Sequence, residues 1–164
     1  MDLNQSQPSP RSQTLVERSQ RGEFNISTLE PDALRINNRT LDIIGKRMSE
    51  NPNSDLTITG TLDGKEEMRN KNLAMQRAEF VKDYLVNNFN INPQRINTRS
   101  VGLPSKPSTL TSEDGIEENR RVELSSSNPL IFEPIILSSD NERLAEPNII
   151  EFIPMAESND VITS

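Results

Sequence analysis

The chain has 164 residues, room for one ordinary domain with tails, and an apolar content of 32%, low enough that one part is expected to fold while the flanks do not. Its 18 Lys+Arg against 25 Asp+Glu give a net charge of −7, which argues against a nucleic-acid or anionic-membrane binder, since either needs a basic face. With no Cys and no His, disulfides, thiol nucleophiles, Ser-His-Asp triads and Cys/His zinc sites are excluded, and no metal or cofactor is expected.

Residues 1–20 are Gln, Ser, Pro, Asn and Arg with only Leu3, Leu15 and Val16 to bury, the composition of a disordered arm or linker. The opening MDLNQSQPSPRSQ lacks the charged-then-apolar pattern of a secretory signal. No apolar run anywhere approaches the roughly 20 residues of a spanning helix, so no transmembrane segment is expected. Order is expected to begin at Gly22–Ile26, where Phe24 and Ile26 alternate with Glu23 and Asn25 as in a short strand. Pro31 suits a first helical turn that continues through Leu34 and Ile36, and the Asn37-Asn38 pair breaks it. A helix is then predicted over Arg39–Glu50, with Leu41, Ile44, Gly45 and Met48 on one face, and Pro52 stops it.

Asp55–Gly60 alternates as a half-buried strand, Leu56 and Ile58 inward, Thr57 and Thr59 outward. A polar loop, Thr61–Glu67, leads to the longest helical pattern, about Met68–Phe89, whose apolar face carries Leu73, Phe80, Val81, Tyr84 and Leu85. Asn87-Asn88 and Pro93 end it. Arg95–Leu103 reads as a strand, Pro104–Glu118 as a loop of turn formers, and Asn119–Ser125 as a last strand. The order strand, helix, strand, helix, strand, strand predicts a two-layer α+β sandwich over residues 21–127. Beyond it, residues 128–164 hold short apolar runs cut by prolines, expected to be edge strands of a β-rich extension that begins a truncated following domain.

One residue breaks the amphipathic pattern of the long helix. Arg77 falls between Leu73 and Val81 inside the apolar stripe, with Asn70 two turns earlier on the same stripe. A guanidinium there must reach an acceptor, because an unpaired buried charge costs several kcal/mol. Asp63, in the loop leaving the Asp55–Gly60 strand, is the carboxylate read as its nearest. Two readings stand: an Asp63–Arg77 salt bridge that pins the loop, or a pocket with one pole of each sign, shaped for a zwitterion.

The pieces GTLD (60–63), NKNLAMQRAEFV (70–81) and NRRV (119–122) resemble the OmpA-like peptidoglycan-binding domain. That family shows Gly-His-Thr-Asp, then Asn-x-x-Leu-Ser-x-x-Arg-Ala-x-x-Val, then Asn-Arg-Arg-Val, and the order and spacing agree over roughly Phe24 to Ser125. The resemblance implies that Asp63 and Arg77 hold the amino and carboxylate groups of diaminopimelate in the cell-wall peptide. Thr61, Leu62, Asn70 and Asn119 are then secondary candidates for the pocket. Thr61 and Leu62 stand where the family has His and Thr, Ala74 where Ser is common, and the loop is about one residue shorter.

The resemblance implies a non-catalytic, non-covalent binder of diaminopimelate-type peptidoglycan in the periplasm or outer membrane-associated envelope, with no nucleic-acid partner and a contact with the β-rich neighbour. The alternative is a structural or interaction domain that kept the fold and lost the ligand. Glu66-Glu67 is read as solvated carboxylates at a helix start rather than a glycosidase pair. Ser112–Gly115 lacks the alternating oxygens of a calcium loop. Asn119 reads as a loop-fixing side chain, Arg120 and Arg121 as surface or structural pairs, and Tyr84 as core.

Overall fold

A computed structural model describes residues 1–8, 24–26, 37 and 39–135. Of the expected strand at Gly22–Ile26 only residues 24–26 are described, and none of these is in a strand. The helical turn expected at Pro31 and the runs after residue 135 lie outside the described residues.

The strand expected from the Asp55–Gly60 alternation is β1 (Leu56–Gly60), with Leu56 and Ile58 fully buried and the intervening threonines half-buried. It is the middle strand of three. It runs parallel to β2 (Ile96–Ser100) in the register Leu56↔Ile96 to Gly60↔Ser100, and antiparallel to β3 (Val122–Ser125) from Thr57↔Ser125 to Gly60↔Val122. Parallel neighbours need a long crossover. Here it is the helix Lys71–Phe89, which packs over β1 and β2; a preceding helix, α1 (Thr40–Glu50), packs on it in turn, making the long helix α2. The fold is thus α+β, helices layered on an open sheet.

The core forms where these faces meet, from Ile44 and Met48 of α1, Leu56 and Ile58 of β1, Ala78, Val81 and Leu85 of α2, and Ile96 of β2. Gly45 serves the α1–α2 contact, since a Cβ there would stand 2.3 Å from Phe89 Cδ2. The Tyr84 hydroxyl donates to the buried carboxylate of Asp42, a second tie between the helices. Gly60 matters most for the site. A Cβ on it would lie 1.7 Å from the Ala74 carbonyl oxygen, so the first turns of α2 rest directly on the end of β1.

Several boundaries differ from the sequence reading, each for a local reason. Residues Glu66–Arg69 form a separate 3-10 turn, and Asn70, at φ −105 and ψ 71, divides it from α2, which begins at Lys71 rather than Met68. Within the expected loop Pro104–Glu118, a short helix α3 (Glu113–Glu118) forms because Ser112 Oγ accepts from Gly115 N–H at 3.2 Å. Asn119 caps that helix, so β3 starts at Val122 rather than at Asn119. Residues Pro129–Phe132 make a 3-10 turn, not an edge strand: Asn128 Oδ1 accepts from Leu130 N–H, and Ile131 is driven fully into the core. The domain's packing therefore extends past residue 127.

Candidate functional site

The chain leaves β1 at Gly60 and runs on between the ends of its neighbours. Thr61 N–H donates to the Arg121 carbonyl at 3.1 Å and Leu62 N–H to the Gly102 carbonyl at 2.9 Å. The fully buried Thr61 hydroxyl is spent on the Asn119 and Arg121 carbonyls, and Leu62 packs on Leu73 and Ala74. The buried amide of Asn119 brackets Ser108, accepting its N–H at 2.8 Å and donating to its carbonyl at 3.2 Å. Asn70 is exposed and its side chain caps nothing. Of the secondary candidates, then, Thr61, Leu62 and Asn119 hold the loops in place, and Asn70 faces solvent.

Asp63 and Arg77 are both wholly buried, yet neither is the other's ion-pair partner. Gly64, at φ +82, turns the chain back so that Asp63 Oδ1 accepts from Lys65 N–H at 2.7 Å and Glu67 N–H at 3.1 Å. Glu67 Oε2 accepts in return from Asp63 N–H at 3.3 Å, a reciprocal arrangement akin to a capping box. The Glu67 carboxylate then takes the end of the Arg77 guanidinium as a two-pronged pair, Oε2 to Nη1 and Oε1 to Nη2, each 2.7 Å. Both partners of that pair are fully enclosed. Asp63, Glu67 and Arg77 thus form one buried chain with a formal charge of −1.

Glu67 is the residue that the sequence reading missed. Adjacent glutamates at a helix start ordinarily face water; Glu66 does, but the 3-10 turn swings Glu67 inward. The available signal was Arg77 itself. A guanidinium inside an apolar stripe demands a carboxylate, and Glu67 is nearer in the chain than Asp63.

Residues 1–8, expected as part of a disordered arm, lie across this cluster. A turn closed by Gln5 N–H to the Asp2 carbonyl at 3.1 Å, with Asn4 at φ 56, aims two main-chain carbonyls at Arg77. Nε donates to Gln5 O at 2.9 Å and Nη2 to Asp2 O at 3.4 Å. With Nη1 also donating to Thr61 O at 2.7 Å, all five guanidinium N–H groups are engaged. Asn4 N–H donates to Glu67 Oε1 at 2.9 Å, and the Met1 amine to the Arg120 carbonyl at 3.0 Å. Burial first, then the charge of Arg77, pushes that amine below the ordinary amino-terminal range.

Beside this cluster is a cavity of about 250 Å³, bordered by Leu3, Asp63, Lys65, Glu66, Glu113, Ile116, Glu117 and Arg120. Its walls carry four carboxylates against two cations. Among the described residues, two buried side-chain atoms have no hydrogen-bond partner, Asp63 Oδ2 and Arg120 Nε, and both belong to residues of this wall. An unmet buried acceptor costs about 1–3 kcal/mol, more when charged. Asp63 thus carries a buried carboxylate oxygen with no partner among the described residues, in a residue that borders the cavity.

A comparison with protein families matches residues 23–121 to the OmpA family. Among solved structures, two crystal forms of the C-terminal domain of Helicobacter pylori MotB are similar, each with 20% identity and a TM-score of 0.44 over 64% of this chain, covering 83% and 81% of theirs. No curated protein matches the chain significantly.

Proposed function

The chain belongs to the OmpA family, and from that premise we propose that it is a non-catalytic module that binds peptidoglycan non-covalently and tethers an envelope protein to the wall. The group bound is the zwitterionic end of diaminopimelate in the stem peptide. Its ammonium is taken by Asp63, and its carboxylate by the Nε/Nη2 edge of Arg77, which shares Nη2 with the Nη1/Nη2 end that Glu67 occupies. The observation that carries this reading is that Asp63, whose buried Oδ2 has no hydrogen-bond partner among the described residues, is one of the residues bordering an acidic cavity. Two features support it further. The Nε–H of Arg77 and the second N–H of its Nη2 are met by main-chain carbonyls of residues 5 and 2, which a carboxylate would replace with a stronger, charge-assisted pair. Arg120 Nε adds a second unpaired donor beside the cavity. Such a module works in the periplasm, in the envelope associated with the outer membrane.

The test is sedimentation with purified diaminopimelate-type sacculi. The chain pellets with the wall, and Asp63→Asn, which keeps the Oδ1 acceptor but removes the charge, stays in the supernatant while melting within a few degrees of the parent. A chain that stays in solution even when residues 1–8 are removed overturns the reading.

One observation favours a second reading, a structural domain that has lost its ligand: every N–H of Arg77 already has an acceptor within the chain. The internal salt bridge of that reading is then Glu67–Arg77 rather than Asp63–Arg77. It predicts no wall binding, whether or not residues 1–8 are lifted.

A further inference from the structure

We propose that the pocket is a receptor for a peptide main chain and that residues 1–8 are its resident, tethered occupant, which an incoming wall peptide must displace. The contacts that hold this segment are of one kind. Asp2 and Gln5 present carbonyl oxygens to Arg77, and Asn4 presents its N–H to Glu67. The segment is held over the Glu67–Arg77 pair through its backbone, and Leu3, itself 40% exposed, borders the cavity.

The geometry explains how one guanidinium serves two partners. Arg77 has a fixed fork of five donors. Three of them are bound permanently, two to Glu67 and one to the Thr61 carbonyl. The remaining two, on Nε and Nη2, point at the turn of residues 2–5. Lifting that turn frees two adjacent N–H groups in the arrangement that receives a carboxylate or a pair of carbonyls. It also frees one lone pair on Glu67 Oε1 and withdraws Leu3 from the border of the cavity that Asp63 lines. The same movement therefore exposes an acceptor and a donor edge together, the two poles that a peptide-borne zwitterion needs.

The turn hinges on Asn4. Asn4 sits at φ 56, a region that costs little for Asn or Gly and is closed to Pro, whose ring holds φ near −65°. Asn4 also supplies the one N–H that Glu67 receives from the segment. A proline there removes the donor and the turn at once without touching a pocket residue, whereas a glycine keeps both.

The competition with the wall rests on the proposed function above; the occupancy does not, so the experiment has two arms. In the first, a labelled peptide of residues 1–8 is titrated against the full chain, Asn4→Gly and Asn4→Pro. The peptide is expected to bind Asn4→Pro and to be excluded from the other two. Equal binding to all three, or none to Asn4→Pro when that variant melts like the parent, overturns the proposal. In the second arm the same chains meet diaminopimelate-type sacculi. A segment docked nine-tenths of the time weakens apparent affinity about tenfold, so Asn4→Pro binds the wall about tenfold more tightly than the parent or Asn4→Gly. Wall binding that is measurable but equal in all three overturns the competition and leaves the proposed function standing. Failure of every chain to bind the wall overturns the proposed function, while the peptide arm still decides the occupancy.

Discussion

Removing Arg77 is the sharpest perturbation of the buried cluster. Arg77→Met keeps an apolar stem as far as the position of Nε in the α2 stripe, but strips five hydrogen bonds and leaves the Glu67 carboxylate enclosed without a counter-charge. Breaking a buried pair by deleting one partner costs about 3–5 kcal/mol, because the surviving charge has lost both water and its mate. In a domain of about a hundred residues each kcal/mol moves the melting temperature by roughly 4–8 °C, so the variant is expected to melt on the order of 20 °C lower. Glu67→Gln added to Arg77→Met removes the stranded charge and keeps an oxygen for the Asp63 N–H. The double variant is therefore expected to be more stable than Arg77→Met alone by about 2 kcal/mol or more, a coupling that urea melts of the four chains measure directly. If Arg77→Met melts within a few degrees of the parent, or the second substitution restores nothing, the pair is not desolvated as described and the reasoning fails.

Two further outcomes test the frame around the site. Ile131→Ala is expected to cost about 2–5 kcal/mol in urea melts, as for a fully buried aliphatic side chain, although it lies beyond the boundary expected from the sequence; a silent substitution would detach residues 128–135 from the domain. The hydroxyl of Ser127 first, then its backbone N–H, holds the Asp55 carboxyl below its ordinary value of 3.8. A depressed carboxyl pKa contributes stability that is present above the ordinary value and is lost as pH falls through it towards the folded one. Ser127→Ala should raise the Asp55 pKa towards 3.8 in an NMR titration, and an unchanged value would refute the assignment of the cause.

The strands were legible because their alternation was unambiguous: Leu56 and Ile58 against Thr57 and Thr59 define β1, and β2 and β3 fall inside the segments read as strands. The helices α1 and α2 were legible from their period, whereas the six-residue α3, too short to show one, was read as loop. What was not legible depended on side chains reaching backbone over long distances. Nothing in NPLIF announces that Ile131 fills the core, because its proline-bounded run reads equally as a strand or a tight turn. In the site, Arg77 was identifiable as buried by its place on the wheel, and Asp63 by its place after β1. Their connection through Glu67 was hidden, because the inward swing of Glu67 depends on the turn that Gly64 and the Asp63 carboxylate impose. The segment 1–8 was the least legible. It docks through Asp2 and Gln5 carbonyls and the Asn4 N–H, groups that every residue but proline carries.

The placement of Glu67 also bears on which half of a zwitterion dominates binding. Asp63, Glu67 and Arg77 sum to a formal charge of −1, and the cavity wall beside them is acidic as well. An arriving ammonium meets a buried carboxylate oxygen with no donor, while an arriving carboxylate meets a guanidinium already balanced by Glu67. The ammonium contact is thus expected to supply most of the affinity and the Arg77 edge mostly orientation. In thermal-shift titrations of Asn4→Pro, diaminopimelate carrying a carboxamide in place of the bound carboxylate should weaken by less than about tenfold, within about 1.4 kcal/mol. Acetylating the bound amine should abolish the shift, since an amide N–H brings no charge to Asp63. The reverse order, acetylation tolerated and amidation fatal, would place the energetic weight on the guanidinium and refute the charge argument drawn from Glu67.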